Sequence, residues 1–202
     1  MPTFDEAVRT HQPIPLWPDG APGKDEYPEG ETPNIVPYLL DDGQPHGAVI
    51  VAPGGGYSGR APHEGEPIAL RLNQGGLSAF VVNYRVAPVR HPYPSMDGMR
   101  AVRWVRHYAS QFKVKPDKVG ILGFSAGGHL TCSAATLYTS GDPDSADPVE
   151  RLSSRPDAFV PCYAVVSFAS FRHQGSLHSL LGERDQDLQL IRRFSAELHI
   201  DG

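Results

Sequence analysis

The chain has 202 residues, 40% of them hydrophobic and 20% charged, which is enough apolar material for a sizeable core and excludes a disordered composition. Its 18 basic and 23 acidic residues give a formal net charge of −5. No Lys/Arg cluster fit to neutralise phosphates is present, so no nucleic-acid partner is expected, and the densest basic stretch, Arg100 to Arg106, reads as the solvated face of a helix.

Residues 1–33 are rich in Pro, Gly and acidic groups and read as a surface arm with Trp17 as its one large apolar anchor. Asn34 to Leu40 is then expected as a strand. Ala48 to Val51 is a continuous apolar run of the kind that forms a strand buried on both faces, and it leads directly into Pro53-Gly54-Gly55-Gly56-Tyr57. Glu64 to Gln74 reads as a helix stopped by Gly75-Gly76, and Leu77 to Val86 as the next strand. After a proline-rich loop, Ser95 is placed to cap a helix with its apolar stripe on Met99, Val102, Val105, Ala109 and Phe112. Lys118 to Phe124 is a strand, Ser125 to Tyr138 a helix of small residues, and Thr139 to Pro156 a polar loop. Phe159 to Phe168 reads as a further buried strand and Asp185 to Leu198 as a closing helix. Strands alternating with helices predict one α/β domain over residues 1–202, with a mainly parallel sheet covered on both faces.

Two motifs carry chemistry. Gly123-Phe124-Ser125-Ala126-Gly127 lies between a strand and a helix, where a sharp turn throws a serine hydroxyl above the sheet edge. Such a nucleophile needs backbone N–H donors for the developing oxyanion, one from the residue after the serine and others from a glycine-rich loop after an earlier strand. Ala126, Gly55 and Gly56 fit those places. A phosphate loop is the competing reading of the glycines, but no Lys-Ser/Thr follows them and G-x-G-x-x-G is absent.

At this point the chain resembles the α/β-hydrolase serine esterases of the acetylxylan-esterase-like, or xylanase-B-like, group. The resemblance runs through Leu16 to Gly23, Pro53 to Tyr57, Pro62 to Glu66, Asn83-Tyr84-Arg85, Pro92-Tyr93-Pro94, Asp97 with Arg100 to Arg106, Gly123 to His129, Ser154 to Asp157 and Leu180 to Glu183. It implies a carboxylesterase acting on acetyl or other short acyl esters, including those of sugars or xylan fragments, through an acyl-Ser125 intermediate. Gly55, Gly56 and Ala126 would donate to the oxyanion. Beside that loop, Tyr57 and His63 are expected to line the substrate pocket, with opening the following helix as the other reading of His63.

In such folds the acid and then the histidine follow the serine, on loops after the last two strands. Here the sequence stops at Gly202, so two strands and a final helix are expected to be missing, and no triad Asp or His is identified. Among the later histidines, His129 lies behind the nucleophile, His173 and His178 lie in a loop, and His199-x-Asp201 reverses the order at a terminus. The alternatives are a catalytically incompetent truncated hydrolase, or a serine peptidase on the same fold. The strand after Pro156 would then be an unpaired edge through which the chain self-associates.

No H-x-H or H-E-x-x-H pair suggests a metal, and no cofactor is expected. Cys132 and Cys162 read as small core residues with a disulfide as the lesser alternative. The expected setting is cytoplasmic and away from membranes: Met1 to Glu6 has no basic or apolar leader region, and no apolar run nears the roughly 18 residues of a span.

Overall fold

The computed structural model describes Glu6 and residues 10–200. Six strands form one mixed sheet: β1 (Ile14–Pro15), β2 (Asn34–Tyr38), β3 (His46–Ala52), β4 (Ser78–Asn83), β5 (Val114–Phe124) and β6 (Ala158–Cys162). They lie in the order β1-β2-β4-β3-β5-β6. β3, β4, β5 and β6 are parallel, while β1 and β2 pair antiparallel at one edge.

Alternation along the central strands divides the core. Ala48, Ile50 and Ala52 of β3, with Phe80 and Val82 of β4, face the helices α2 (Tyr93–His107) and α3 (Ala126–Thr136) through Ala101, Val102, Val105 and Leu130. Val51, Ala79 and Val81 point the other way, onto Ala69 and Leu72 of α1 (Glu66–Gln74). Both faces are therefore covered, and the apolar runs follow from that double burial. Two shorter helices, α4 (Gln174–Leu181) and α5 (Leu188–Arg193), close the described chain, and no helix among the described residues is long and apolar enough to cross a membrane.

Several expectations are corrected. The Pro/Gly-rich arm is not purely superficial: β1 pairs with β2, Ile14 and Leu16 are in the core, and Trp17 packs against it. The basic helix face is not solvated either. Arg100 is 2% and Arg103 7% exposed; Arg100 pairs with Asp147 (2.7 Å) and Glu150 (2.9 Å), and Arg103 with Glu150 (3.2 Å). The loop at 139–156 thus returns acidic groups to α2, a match invisible from α2 alone. Ser95 does not cap α2; the helix starts at Tyr93, and the buried Ser95 hydroxyl has no partner among the described residues.

The last strand is shorter than expected. β6 ends at Cys162 because Tyr163, at φ +34, turns the chain into a left-handed conformation and carries residues 164–168 off the sheet. Beyond them, α4 was not foreseen. Its cap is His173, whose Nδ1 accepts the Ser176 N–H, and histidine stands outside the usual capping set. The closing helix is also split: Asp187 caps α5, and the chain breaks after Arg193 before a 3-10 turn at Ala196–Leu198. There the Ser195 hydroxyl accepts N–H bonds from Phe168 and Ala169.

Candidate active site

β5 ends at Phe124 and α3 begins at Ala126, leaving Ser125 alone on the turn with φ +50 and ψ −113. A non-glycine residue held there costs on the order of 1–3 kcal/mol and persists only where its surroundings fix it. Three backbone bonds do so: Ser125 N–H donates to Cys162 O (3.0 Å), and Ser125 O accepts from His129 N (3.0 Å) and Val165 N (3.3 Å). The flanking glycines are steric requirements. A Cβ on Gly123 would stand 2.2 Å from Gly127 O, and one on Gly127 would stand 2.1 Å from Ala52 O.

That second clash shows how closely the end of β3 approaches the start of α3. The glycine loop after β3 consequently lies against the serine: a Cβ on Gly54 would be 3.1 Å from Ser125 Cβ. Gly55 and Gly56 adopt φ +139 and +64, and among the described residues neither N–H has an acceptor. Ala126 opens α3, where the first amide N–H groups have no partner within the helix. Gly55, Gly56 and Ala126 are thus brought together with Ser125, on two loops that end the adjacent parallel strands β3 and β5.

Tyr57 does not line an open pocket. It is 1% exposed, and its hydroxyl lies 2.7 Å from His129 Nδ1. His129 Nε2 lies 2.9 Å from Phe194 O, which can only accept, so Nε2 carries the proton and the Tyr57 O–H donates to Nδ1. Burial lowers the imidazole from 6.5 to about 4 and pushes the Tyr57 phenol well above its ordinary value. His129 is therefore a neutral staple joining the glycine loop, α3 and the segment after α5. His63 stands largely in solvent, with Nε2 3.8 Å from Glu64 Oε1.

Two residues went unremarked in the sequence as parts of the site. Buried Glu64 accepts the Gly54 N–H at Oε2 (2.7 Å) and the Tyr163 O–H at Oε1 (2.5 Å). That bond is the main cause raising the Tyr163 phenol to about 12. The available signal was an acid directly followed by glycine just after the glycine loop, but Glu66 on the other side of that glycine obscures the choice.

No other described side chain stands in hydrogen-bond contact with Ser125 as a base would, and the later histidines each have one ring nitrogen engaged elsewhere. His173 Nδ1 is engaged by Ser176, His178 Nδ1 by Asp185 (3.0 Å), and His199 Nε2 lies 3.2 Å from Arg192 O. Asp201 lies outside the described residues. Among the described residues no side chain hydrogen-bonds the Ser125 hydroxyl. Both cysteines are free, and burial pushes the Cys132 thiol up to about 11.

Comparison with known proteins fixes the family. The BD-FAE family profile matches residues 39–201. The chain belongs to the BD-FAE family. Within the same α/β-hydrolase fold, it superposes with a TM-score of 0.87 and 45% identity on the acetyl ester-xyloside bifunctional hydrolase from Caldicellulosiruptor lactoaceticus, covering 95% of this chain and 70% of that one. Esterase 2 of Thermogutta terrifontis, phosphorylated by paraoxon, shares the fold at 20% identity and a TM-score of 0.69, covering 100% of this chain and 70% of that one. Among curated proteins, endo-1,4-beta-xylanase B of Butyrivibrio fibrisolvens is 33% identical over 85% of this BD-FAE chain and 27% of its own length. Acetylxylan esterase of Xylanibacter ruminicola is 36% identical over 74% of this chain and 29% of its own. The chain therefore spans under a third of the curated relatives it matches.

Proposed function

We propose that this BD-FAE chain carries the nucleophile and oxyanion hole of a serine esterase for acetyl and other short acyl esters, including acetylated carbohydrates. The observation that carries this reading is Ser125 held at φ +50 on a strand–helix turn, beside a glycine loop with two N–H groups that have no acceptor among the described residues. Strain at that position is tolerated where it serves a function. Ser125 would attack the ester carbonyl, forming the acyl–oxygen bond as the alcohol leaves, and Gly55, Gly56 and Ala126 would donate to the oxyanion. The names of the relatives, an acetylxylan esterase and an acetyl ester-xyloside hydrolase, favour an acetylated sugar as the ester's alcohol part.

The base is not one of the described histidines in this reading. The 202-residue chain should then retain only what binding and the oxyanion hole supply, about 10³–10⁴-fold over water. Incubation with p-nitrophenyl acetate followed by peptide mass spectrometry tests it. An acetyl group on the Ser125 peptide, absent in Ser125→Ala, is the expected result. Acetylation elsewhere at an equal rate would overturn the nucleophile, and fast turnover abolished by Ser125→Ala would show that a described group does act as base.

A further inference from the structure

Glu64 is an unusual group to find beside a nucleophile. It ends a short 3-10 turn (Pro62–Glu64), its side chain is only 10% exposed, and both its hydrogen-bond donors are neutral. Those donors come from opposite flanks of Ser125. Gly54 N–H belongs to the glycine loop after β3. Tyr163 O–H belongs to the segment leaving β6, whose preceding residue, Cys162, accepts the Ser125 N–H. The three parts converge closely: the point where a Gly54 Cβ would sit is 2.9 Å from Glu64 Oε2, 2.7 Å from Phe124 O and 3.1 Å from Ser125 Cβ.

We infer that Glu64 is a positioning residue for the oxyanion loop, an assignment that rests on the esterase reading above. Within the loop, Ala61 N–H donates to Gly54 O (2.8 Å) and Ser58 and Gly59 N–H donate to Gly55 O (3.0 and 3.2 Å), which holds the carbonyl sides and leaves the Gly54 amide to Glu64. Gly55 and Gly56 occupy conformations that glycine alone adopts freely, so nothing in their own side chains holds them, and free glycine backbone loses much entropy on ordering. Binding Gly54 N–H with one carboxylate oxygen fixes the orientation of the Pro53–Gly54 peptide, from which the chain enters Gly55. It also withdraws Gly54 from the set of available donors, leaving those of Gly55 and Gly56 to face the acyl oxygen. The other oxygen ties the same carboxylate to Tyr163, whose ring packs on Phe124 at 5.6 Å between centroids. The loop and the serine turn therefore move as one body. Displacement of an oxyanion donor by an ångström is enough to lose most of its benefit, which is why positioning matters more here than the bond's contribution to folding.

The chemistry of the donors also predicts which replacement is tolerated. A carboxylate offers acceptors to both an N–H and an O–H. Glutamine keeps one acceptor for Gly54 N–H and turns an N–H₂ toward Tyr163, whose hydroxyl can rotate to accept it. Alanine offers neither.

The test uses the full 202-residue chain and reads two quantities, the rate of Ser125 acetylation by p-nitrophenyl acetate and hydrogen exchange at the Gly54 amide. Glu64→Ala should slow acetylation at saturating ester by at least tenfold, with the half-saturating concentration changed less than twofold, and should speed Gly54 exchange at least tenfold. Glu64→Gln should recover acetylation to within about threefold of wild type. Tyr163→Phe should cost less than Glu64→Ala, and the double variant should be no slower than Glu64→Ala alone. Should Glu64→Ala fail to fold, Tyr163→Phe decides in its place: slower acetylation and faster Gly54 exchange than wild type are expected, and wild-type values of both would overturn the assignment. The titration of the phenol near 12 should move toward 10 in Glu64→Gln and vanish in Tyr163→Phe. Wild-type acetylation in Glu64→Ala, unchanged Gly54 exchange, or a Glu64→Gln variant as slow as Glu64→Ala would overturn the assignment. If wild type and Ser125→Ala acetylate alike, the esterase reading fails instead, and Gly54 exchange alone then judges the clamp.

Discussion

Protonating His129 should pull the structure apart at a defined pH, and the size of the effect follows from its surroundings. The ring is fully enclosed by Tyr57, Phe168 and Phe194, with both nitrogens engaged as a neutral tautomer. Burial lowers its folded-state value from 6.5 to about 4. The unfolded chain therefore binds a proton first as pH falls. Stability is complete above about pH 7, declines through 6.5, and stops declining for this reason near 4. At about 1.4 kcal/mol per pH unit the whole window is worth about 3 kcal/mol, most of it gone by pH 4.5. Urea unfolding at pH 7.5 and 4.5 would measure it in wild type and in His129→Gln, whose amide can still accept from Tyr57 and donate to Phe194. The variant should be less stable at pH 7.5 yet lose roughly 2–3 kcal/mol less on acidification. His91 is also lowered to about 4 by burial and titrates in the same window, so the difference between the two proteins, not the wild-type slope, isolates His129. Equal losses, or an NMR titration of the His129 ring near 6.5, would refute the reasoning.

Gly127→Ala should cost about 3 kcal/mol or more, read as a fall in the urea midpoint, because its Cβ would press on two strand-end carbonyls at 2.1 and 2.5 Å; a loss under 1 kcal/mol would mean the turn is looser than drawn. Asp97→Asn should cost about 3–5 kcal/mol by the same assay, since it leaves Arg85 buried without its counter-charge at 2.7 Å, and a loss within 1 kcal/mol would show the pair to be dispensable. Among the described residues β6 pairs only with β5, and Phe159 and Val160 are about half exposed. Val160→Lys should therefore raise the monomer fraction in sedimentation velocity, an expectation that fails if both chains are monomeric at the same concentration.

The parts of the fold fixed by local pattern were legible in the sequence: β3 as an all-apolar run, α1 up to its Gly75-Gly76 stop though not its start after Gly65, and the serine turn between strand and helix signals. Ser125, Gly55 and Gly56 could be placed together because two motifs after two parallel strands must share a sheet edge. Relations between distant segments were not legible. Glu64 reaches a tyrosine 99 positions away, Arg100 finds its acids in a loop 50 positions on, and Tyr57 looked like a pocket residue until His129 received its hydroxyl. The end of β6 was overrun because Tyr163 to Phe168 has a strand's composition, while the turn at Tyr163 is imposed by its hydroxyl bond to Glu64 and by the serine turn beside it.

The N-terminal arm has a practical consequence for anyone trimming this domain. Its proline-rich, acidic composition invites removal as a dispensable tail, yet Trp17 lies under two guanidinium groups, Arg85 at 5.7 Å and Arg100 at 5.3 Å. The same two arginines donate to Pro22 O and Leu16 O. Cutting the gene at residue 34 would strip an aromatic cover and two acceptors from cations that are 3% and 2% exposed, and would bare the outer edge of β2. A shortened product of that kind should enter inclusion bodies, whereas an affinity tag placed ahead of residue 10 leaves every one of those contacts intact.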